Sequence, residues 1–131
     1  MKPILLDTNA YVELLSGNKS VLKHLETSAC IYMSIFVIAE LFTGFKTGSK
    51  EKENLSVLNN FLSNPKIKII NATIKTSSIF SEIKHYLKTI GKPIPINDVW
   101  IASHAFEYNS KLVTFDKHFQ FIPKIEIWDN F

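Results

Sequence analysis

The chain has 131 residues, 46% of them hydrophobic and 21% charged, which places it among single folded domains and excludes a disordered polyelectrolyte. Its net charge is +3 and all fifteen basic residues are Lys, so a nucleic-acid partner is permitted but no guanidinium fork is available to read base edges. A single Cys cannot form an internal disulfide, no apolar run reaches membrane-span length, and the opening apolar segment is too short for a signal peptide, so a soluble cytoplasmic protein is expected.

Lys2–Leu6 reads as a short buried strand, followed by the helix-capping cluster Asp7-Thr8-Asn9. A helix over Ala10–Leu15 stops at Ser16-Gly17, and a second spans Ser20–Thr27 with Val21, Leu22 and Leu25. Cys30–Met33 is the next strand, Cys30 serving as a small core residue. Ser34 is placed to cap a helix over Ile35–Phe45. Gly44 and Gly48 bracket the break before an amphipathic helix over Ser49–Leu62, whose Leu55, Leu58 and Leu62 share a face. After Asn64-Pro65, Lys66–Ile70 alternates as a strand. Asn71 or Thr73 caps a long helix with Ile79, Ile83, Leu87 and Ile90 at near-helical spacing. Gly91–Pro95 is a stiff extended loop, and Asn97-Asp98 opens a helix over Val99–Tyr108. Lys111–Phe115 is a strand, Asp116–Phe119 a turn or short helix, and Ile125–Trp128 a last short strand.

Strands alternating with helices predict a three-layer α/β sandwich, its central sheet mostly parallel, over one domain of residues 1–131. Such sheets bind ligands beyond the carboxyl ends of their strands. Asp7 and Asp116 close predicted strands and Asp98 opens a helix, so three of only four aspartates face one sheet edge. Asp129 lacks that framing and reads as surface. Each of the three also has an ordinary account: Asp7 as a helix cap, Asp98 as a cap or dipole partner, Asp116 as the start of a turn. Glu40 fits such an account less well, because Ile35–Ala39 precede it and Leu41 and Phe42 follow. A buried carboxylate without a partner costs several kcal/mol, so Glu40 needs a Lys or a bound cation. Four independent caps leave the scarcity of aspartate elsewhere unexplained. One oxygen-lined pocket explains it, and such a pocket calls for a hard divalent cation. Ala102 and Ala105, four and seven positions after Asp98, let that helix approach the sheet. Trp100 and His104 form a neighbouring packing stripe, and His118 is placed to touch substrate.

The segments Leu5-Leu6-Asp7-Thr8-Asn9, Ala39-Glu40-Leu41, Gly91 to Ala102 and Leu112 to Phe119 together resemble the PIN-domain family of metal-dependent ribonucleases, most closely the VapC-like toxins of toxin–antitoxin pairs. The similarity covers essentially the whole chain. It implies that Asp7, Glu40, Asp98 and Asp116 form an acidic quartet, with Asn9 and Thr114 supporting it from behind. The turn Lys117-His118 departs from the Arg-containing turn common in the family, and the lack of Arg puts the grip on RNA in question. A haloacid-dehalogenase phosphatase also begins with a strand ending in Asp, but its second Asp would stand where this chain has Asn9.

Carboxylate oxygens suit Mg²⁺ or Mn²⁺, and a constellation without Cys or His argues against zinc. Asp7, Asp98 and Asp116 are expected to touch the metal, and Glu40 to order a coordinated water for in-line attack on a phosphodiester. Lys46, Lys50 and Lys52 are placed to lead RNA toward the pocket, although a solvated helix face also accounts for Lys50 and Lys52. The resemblance further implies a homodimer inhibited by a small antitoxin. Tyr11, Leu14, Leu15, Phe42 and Phe45 are candidates for that surface or for core packing. A catalytically silent PIN-like module that binds RNA or protein is the alternative.

Overall fold

The apolar runs that end in acids become the strands of one sheet. The computed structural model describes residues 2–128, so the expectation for Asp129 lies outside the described residues. Five strands, β1 (Ile4–Leu6), β2 (Ile31–Ser34), β3 (Ile67–Ile70), β4 (Lys111–Val113) and β5 (Glu126–Ile127), pair in the order β3-β2-β1-β4-β5, and every described pairing is parallel. Six helices flank the sheet in three layers: α1 (Thr8–Leu15), α2 (Lys19–Thr27), α3 (Ile35–Thr47), α4 (Glu51–Leu62), α5 (Ile74–Thr89) and α6 (Ile96–Glu107). A 3₁₀ helix, Lys117–Phe121, follows β4.

The strands read as unbroken apolar runs because central parallel strands are covered on both faces. Leu5, Leu6, Met33, Leu112 and Val113 have no solvent exposure. Chain direction across the sheet reverses between β1 and β4, since the chain moves from β1 to β2 and β3 on one side and later returns to β4 on the other. Register places Leu6 opposite Val113, and Asp7 N–H donates to the Val113 carbonyl at 3.2 Å. Asp7 and Thr114 therefore leave the sheet side by side at its switch point, where open α/β sheets form crevices.

Two contacts hold the helices that frame this edge. Trp100 stacks on Phe36 at 4.8 Å and on Phe80 at 4.0 Å, joining α6 to α3 and α5. His104 is wholly buried, with Nε2 3.1 Å from the Asn71 carbonyl and Nδ1 2.8 Å from the Ser34 hydroxyl. A carbonyl only accepts, so Nε2 carries the proton and Nδ1 accepts from Ser34. Burial lowers the proton affinity of this imidazole, which favours its neutral form.

Several boundaries differ from the sequence reading. Helix α3 runs through Gly44 to Thr47, so only Gly48 marks the break. Helix α6 starts at Ile96 after Pro95, whose fixed φ suits a helix start, so Asp98 lies within the first turn rather than at the cap. Strand β4 ends at Val113, which leaves Thr114, Phe115 and Asp116 beyond the sheet. On α5 the inward face uses Thr76, Phe80, Ile83 and Leu87, while Ile90 is 40% exposed at the helix end. Cys30 is half-buried rather than core. No helix among the described residues is long and apolar enough to cross a membrane.

Candidate metal centre

Four elements bring carboxylates to the switch point. Asp7 follows β1 and caps α1, its Oδ1 accepting from Ala10 N–H at 2.8 Å. Its Oδ2 accepts from the hydroxyl of Thr114, which is completely buried. The Thr114 oxygen in turn accepts from Asp116 N–H at 2.9 Å. Trp128 fastens this segment from behind, its indole N–H donating to the Thr114 carbonyl. Asp7 is thus a helix cap that also faces the pocket: one oxygen serves the helix, the other accepts from Thr114.

Asp7, Thr8, Asn9, Glu40, Asp98, Ile101 and Asp116 line one pocket of about 130 Å³. All four acids singled out in the sequence stand there together. Glu40 is half-buried and its Oε1 accepts from the Thr8 hydroxyl at 2.5 Å. Among the described ion pairs none joins a Lys to Asp7, Glu40, Asp98 or Asp116, which leaves the Lys partner considered for Glu40 without support. Lys46 instead pairs with Glu51 at 3.2 Å. Asn9 is exposed and lines the pocket, but the described hydrogen bond to an acid in this turn comes from its neighbour Thr8. Nothing in the sequence marked Thr8 as more than part of a capping cluster, because Glu40 is distant along the chain.

The electrostatics follow from crowding. Burial, only partly offset by the Thr114 and Ala10 hydrogen bonds, pushes Asp7 up to about 6, with the charges of Asp116 and Glu40 adding to the shift. Asp98 also rises to about 6, through burial first and then the charges of Asp116, Glu40 and Asp7, while His118 opposes the rise. Such a cluster is poorly tolerated without a counter-charge, and its oxygen donors fit a hard divalent cation.

The 3₁₀ helix adds a feature the sequence argument missed. Asp116 caps it, accepting from His118 N–H at 2.9 Å, and the His118 ring Nδ1 lies 3.1 Å from the same Oδ1. Donor atoms of Asp98, Asp116 and His118 all lie within 4.8 Å of one another. The constellation therefore does include an imidazole, contrary to the expectation used against softer metals.

Glu40 also borders a wider groove of about 440 Å³, lined by Ala39, Thr43, Gly44, Thr47 and Asn97. A Cβ at Gly44 would meet nothing within 4 Å, so this glycine is not required by packing. Among the proposed partner-surface residues, Tyr11 is fully buried against Phe61 and belongs to the core, and Leu14 and Phe45 pack against it. Leu15 and Phe42 are 53% and 42% exposed.

The sequence model of the PIN domain matches residues 4–125. Ribonuclease VapC2 of Rickettsia felis is 36% identical over 132 residues, covering 95% of this chain and 97% of that protein. The crystal structure of VapBC2 from Rickettsia felis bound to a DNA fragment from their promoter superposes with a TM-score of 0.85 at 31% identity, covering 96% and 97% of the two chains. The DNA-bound VapBC of Salmonella typhimurium shares the fold, with a TM-score of 0.86 at 23% identity and 98% of each chain covered.

Proposed function

The chain belongs to the PIN domain family, and on that footing we propose that it is a metal-dependent endoribonuclease and the toxin of a toxin–antitoxin pair. The observation that carries this reading is the meeting of Asp7, Glu40, Asp98 and Asp116 around one small pocket at the carboxyl edge of a parallel sheet. Similarity to a protein named as a ribonuclease specifies the substrate class, which the acids alone leave open.

Asp7, Asp98 and Asp116 would hold Mg²⁺ or Mn²⁺, with Glu40 at the same pocket and Asn9 and Thr114 supporting the acids. A bound ion neutralises the carboxylates and supplies Lewis acidity for phosphodiester hydrolysis. The chain's own residues prepare that chemistry. Thr114 and Ala10 fix the two oxygens of Asp7, Thr8 fixes one oxygen of Glu40, and Ile101 walls the pocket against bulk water. The groove beside Glu40 is the lane for an RNA strand, with Lys46 and Lys50 at the end of α3 and beyond it. Residues 1–131 act as one PIN-like domain, cytoplasmic and homodimeric. A small antitoxin silences it by covering the pocket, and exposed Leu15 and Phe42 contribute to a partner surface.

Purified protein incubated with structured RNA and Mg²⁺ or Mn²⁺ tests this reading. Cleavage is expected to require the ion, to stop on adding EDTA, and to fall at least about a hundredfold in D7N and D98N. Unchanged cleavage in both variants would remove the site assignment. RNA binding without cleavage under either ion would point instead to a silent binding module.

A further inference from the structure

Asp98 and Asp116 are oxygen donors, but the third group that closes on them is a nitrogen. Asp116 caps the 3₁₀ helix and takes the His118 backbone N–H at 2.9 Å, which fixes where the His118 side chain starts. The ring then returns to the same carboxylate, with Nδ1 3.1 Å from Oδ1. One donor atom from each of Asp98, Asp116 and His118 lies within 4.8 Å of the others. Metal–ligand bonds of about 2.1 Å set cis donors about 3.0 Å apart, and the His118 Nδ1 to Asp116 Oδ1 separation of 3.1 Å already matches that spacing. The His118 side chain is about half exposed.

We propose that His118 is a direct ligand of the divalent ion, turning an all-oxygen acidic centre into a mixed oxygen and nitrogen one that prefers Mn²⁺ to Mg²⁺. The inference rests on the reading that the acids hold a divalent cation. Its physical basis is ligand softness: imidazole binds first-row transition ions well, whereas Mg²⁺ favours oxygen and gains little from nitrogen. The alternative role for the ring is to hydrogen-bond Asp116 and hold that carboxylate in place, a positioning role that leaves ion preference unchanged.

The test loads the full-length protein with Mn²⁺ and records electron spin-echo envelope modulation, alongside calorimetric titration of Mn²⁺ and Mg²⁺. Wild type is expected to show ¹⁴N modulation from a coordinated imidazole, and H118A to lose it. H118A should bind Mn²⁺ at least about tenfold more weakly, with a smaller change for Mg²⁺. H118Q, which can still hydrogen-bond Asp116 but lacks the imidazole nitrogen, should resemble H118A. Circular dichroism of both variants guards against misfolding. Absence of ¹⁴N modulation in wild type, or recovery of Mn²⁺ affinity in H118Q, overturns the proposal while the acidic centre stands. Mn²⁺ binding that survives in D98N and D116N overturns the acidic centre itself, and His118 as its ligand with it.

Discussion

The Thr8 hydroxyl donates to Glu40 Oε1 at 2.5 Å, joining the first turn of α1 to the middle of α3 across the pocket. Thr8 and Glu40 are 32 residues apart, yet this bond fixes how the acid faces its neighbours. A hydrogen bond to a charged acceptor contributes about 1.5–3 kcal/mol. Thr8→Val is therefore expected to slow RNA cleavage about tenfold or more at saturating metal, and Thr8→Ser to keep most of the activity. Single-turnover rates at matched ion concentration check this. Equal rates for the Val variant and wild type would show that Glu40 needs no such support.

Thr114→Val removes a buried donor from Asp7 and an acceptor from Asp116 N–H. The proton affinity of Asp7, already raised, should rise further, because the Thr114 bond is what lowers it most. Stability is expected to fall by about 1–3 kcal/mol in urea. The pH midpoint for metal binding should move upward, which titration of Mn²⁺ at several pH values measures.

Asp7 and Asp98 hold protons up to about 6 in the folded chain, against an ordinary value of 3.8. Between those limits the folded state binds more protons than the unfolded state, so folding loses stability as pH rises through the window. Below 3.8 both states are protonated and the penalty vanishes; above about 6 it is fully present. In EDTA, the melting temperature of wild type relative to D98N is expected to drop between about pH 4 and pH 6 and then level off. Mn²⁺ should flatten that difference by stabilising the ionised carboxylates. A relative melting temperature that climbs with pH in EDTA contradicts the raised values.

His104→Leu keeps bulk but leaves the buried Ser34 hydroxyl without an acceptor and the part-buried Asn71 carbonyl without its donor. A loss of about 1–3 kcal/mol is expected in equilibrium denaturation, since an unsatisfied buried donor carries its desolvation cost. The same buried imidazole should titrate by NMR below the ordinary histidine midpoint while the protein stays folded, because burial disfavours its charged form.

Strands and helices were legible because their signals are local. Apolar runs such as Ile4–Leu6 and spaced leucines such as Leu58 and Leu62 report burial within a few residues. Boundaries were less legible where two signals compete. Gly44 suggested a break, yet neighbouring residues carry α3 through it. Asn97-Asp98 suggested a cap, yet Pro95 starts the helix earlier and places Asp98 in the first turn beside the other acids. Tyr11 was open to either a partner surface or core packing, because a helix pattern does not say how deep its second face is buried; it lies in the core.

From the sequence alone came the alternation of strand and helix, the parallel sheet it requires, and the presence of acids at strand ends, since each depends only on residues close along the chain. Only the tertiary structure decided which side chains meet. Pairing Leu6 with Val113 set Asp7 beside Thr114, folding of α3 against α1 gave Glu40 its Thr8, and the turn after Asp116 returned an imidazole to the acids. Such contacts span up to 107 residues, and sheet register and helix packing make them, which no short window of sequence encodes.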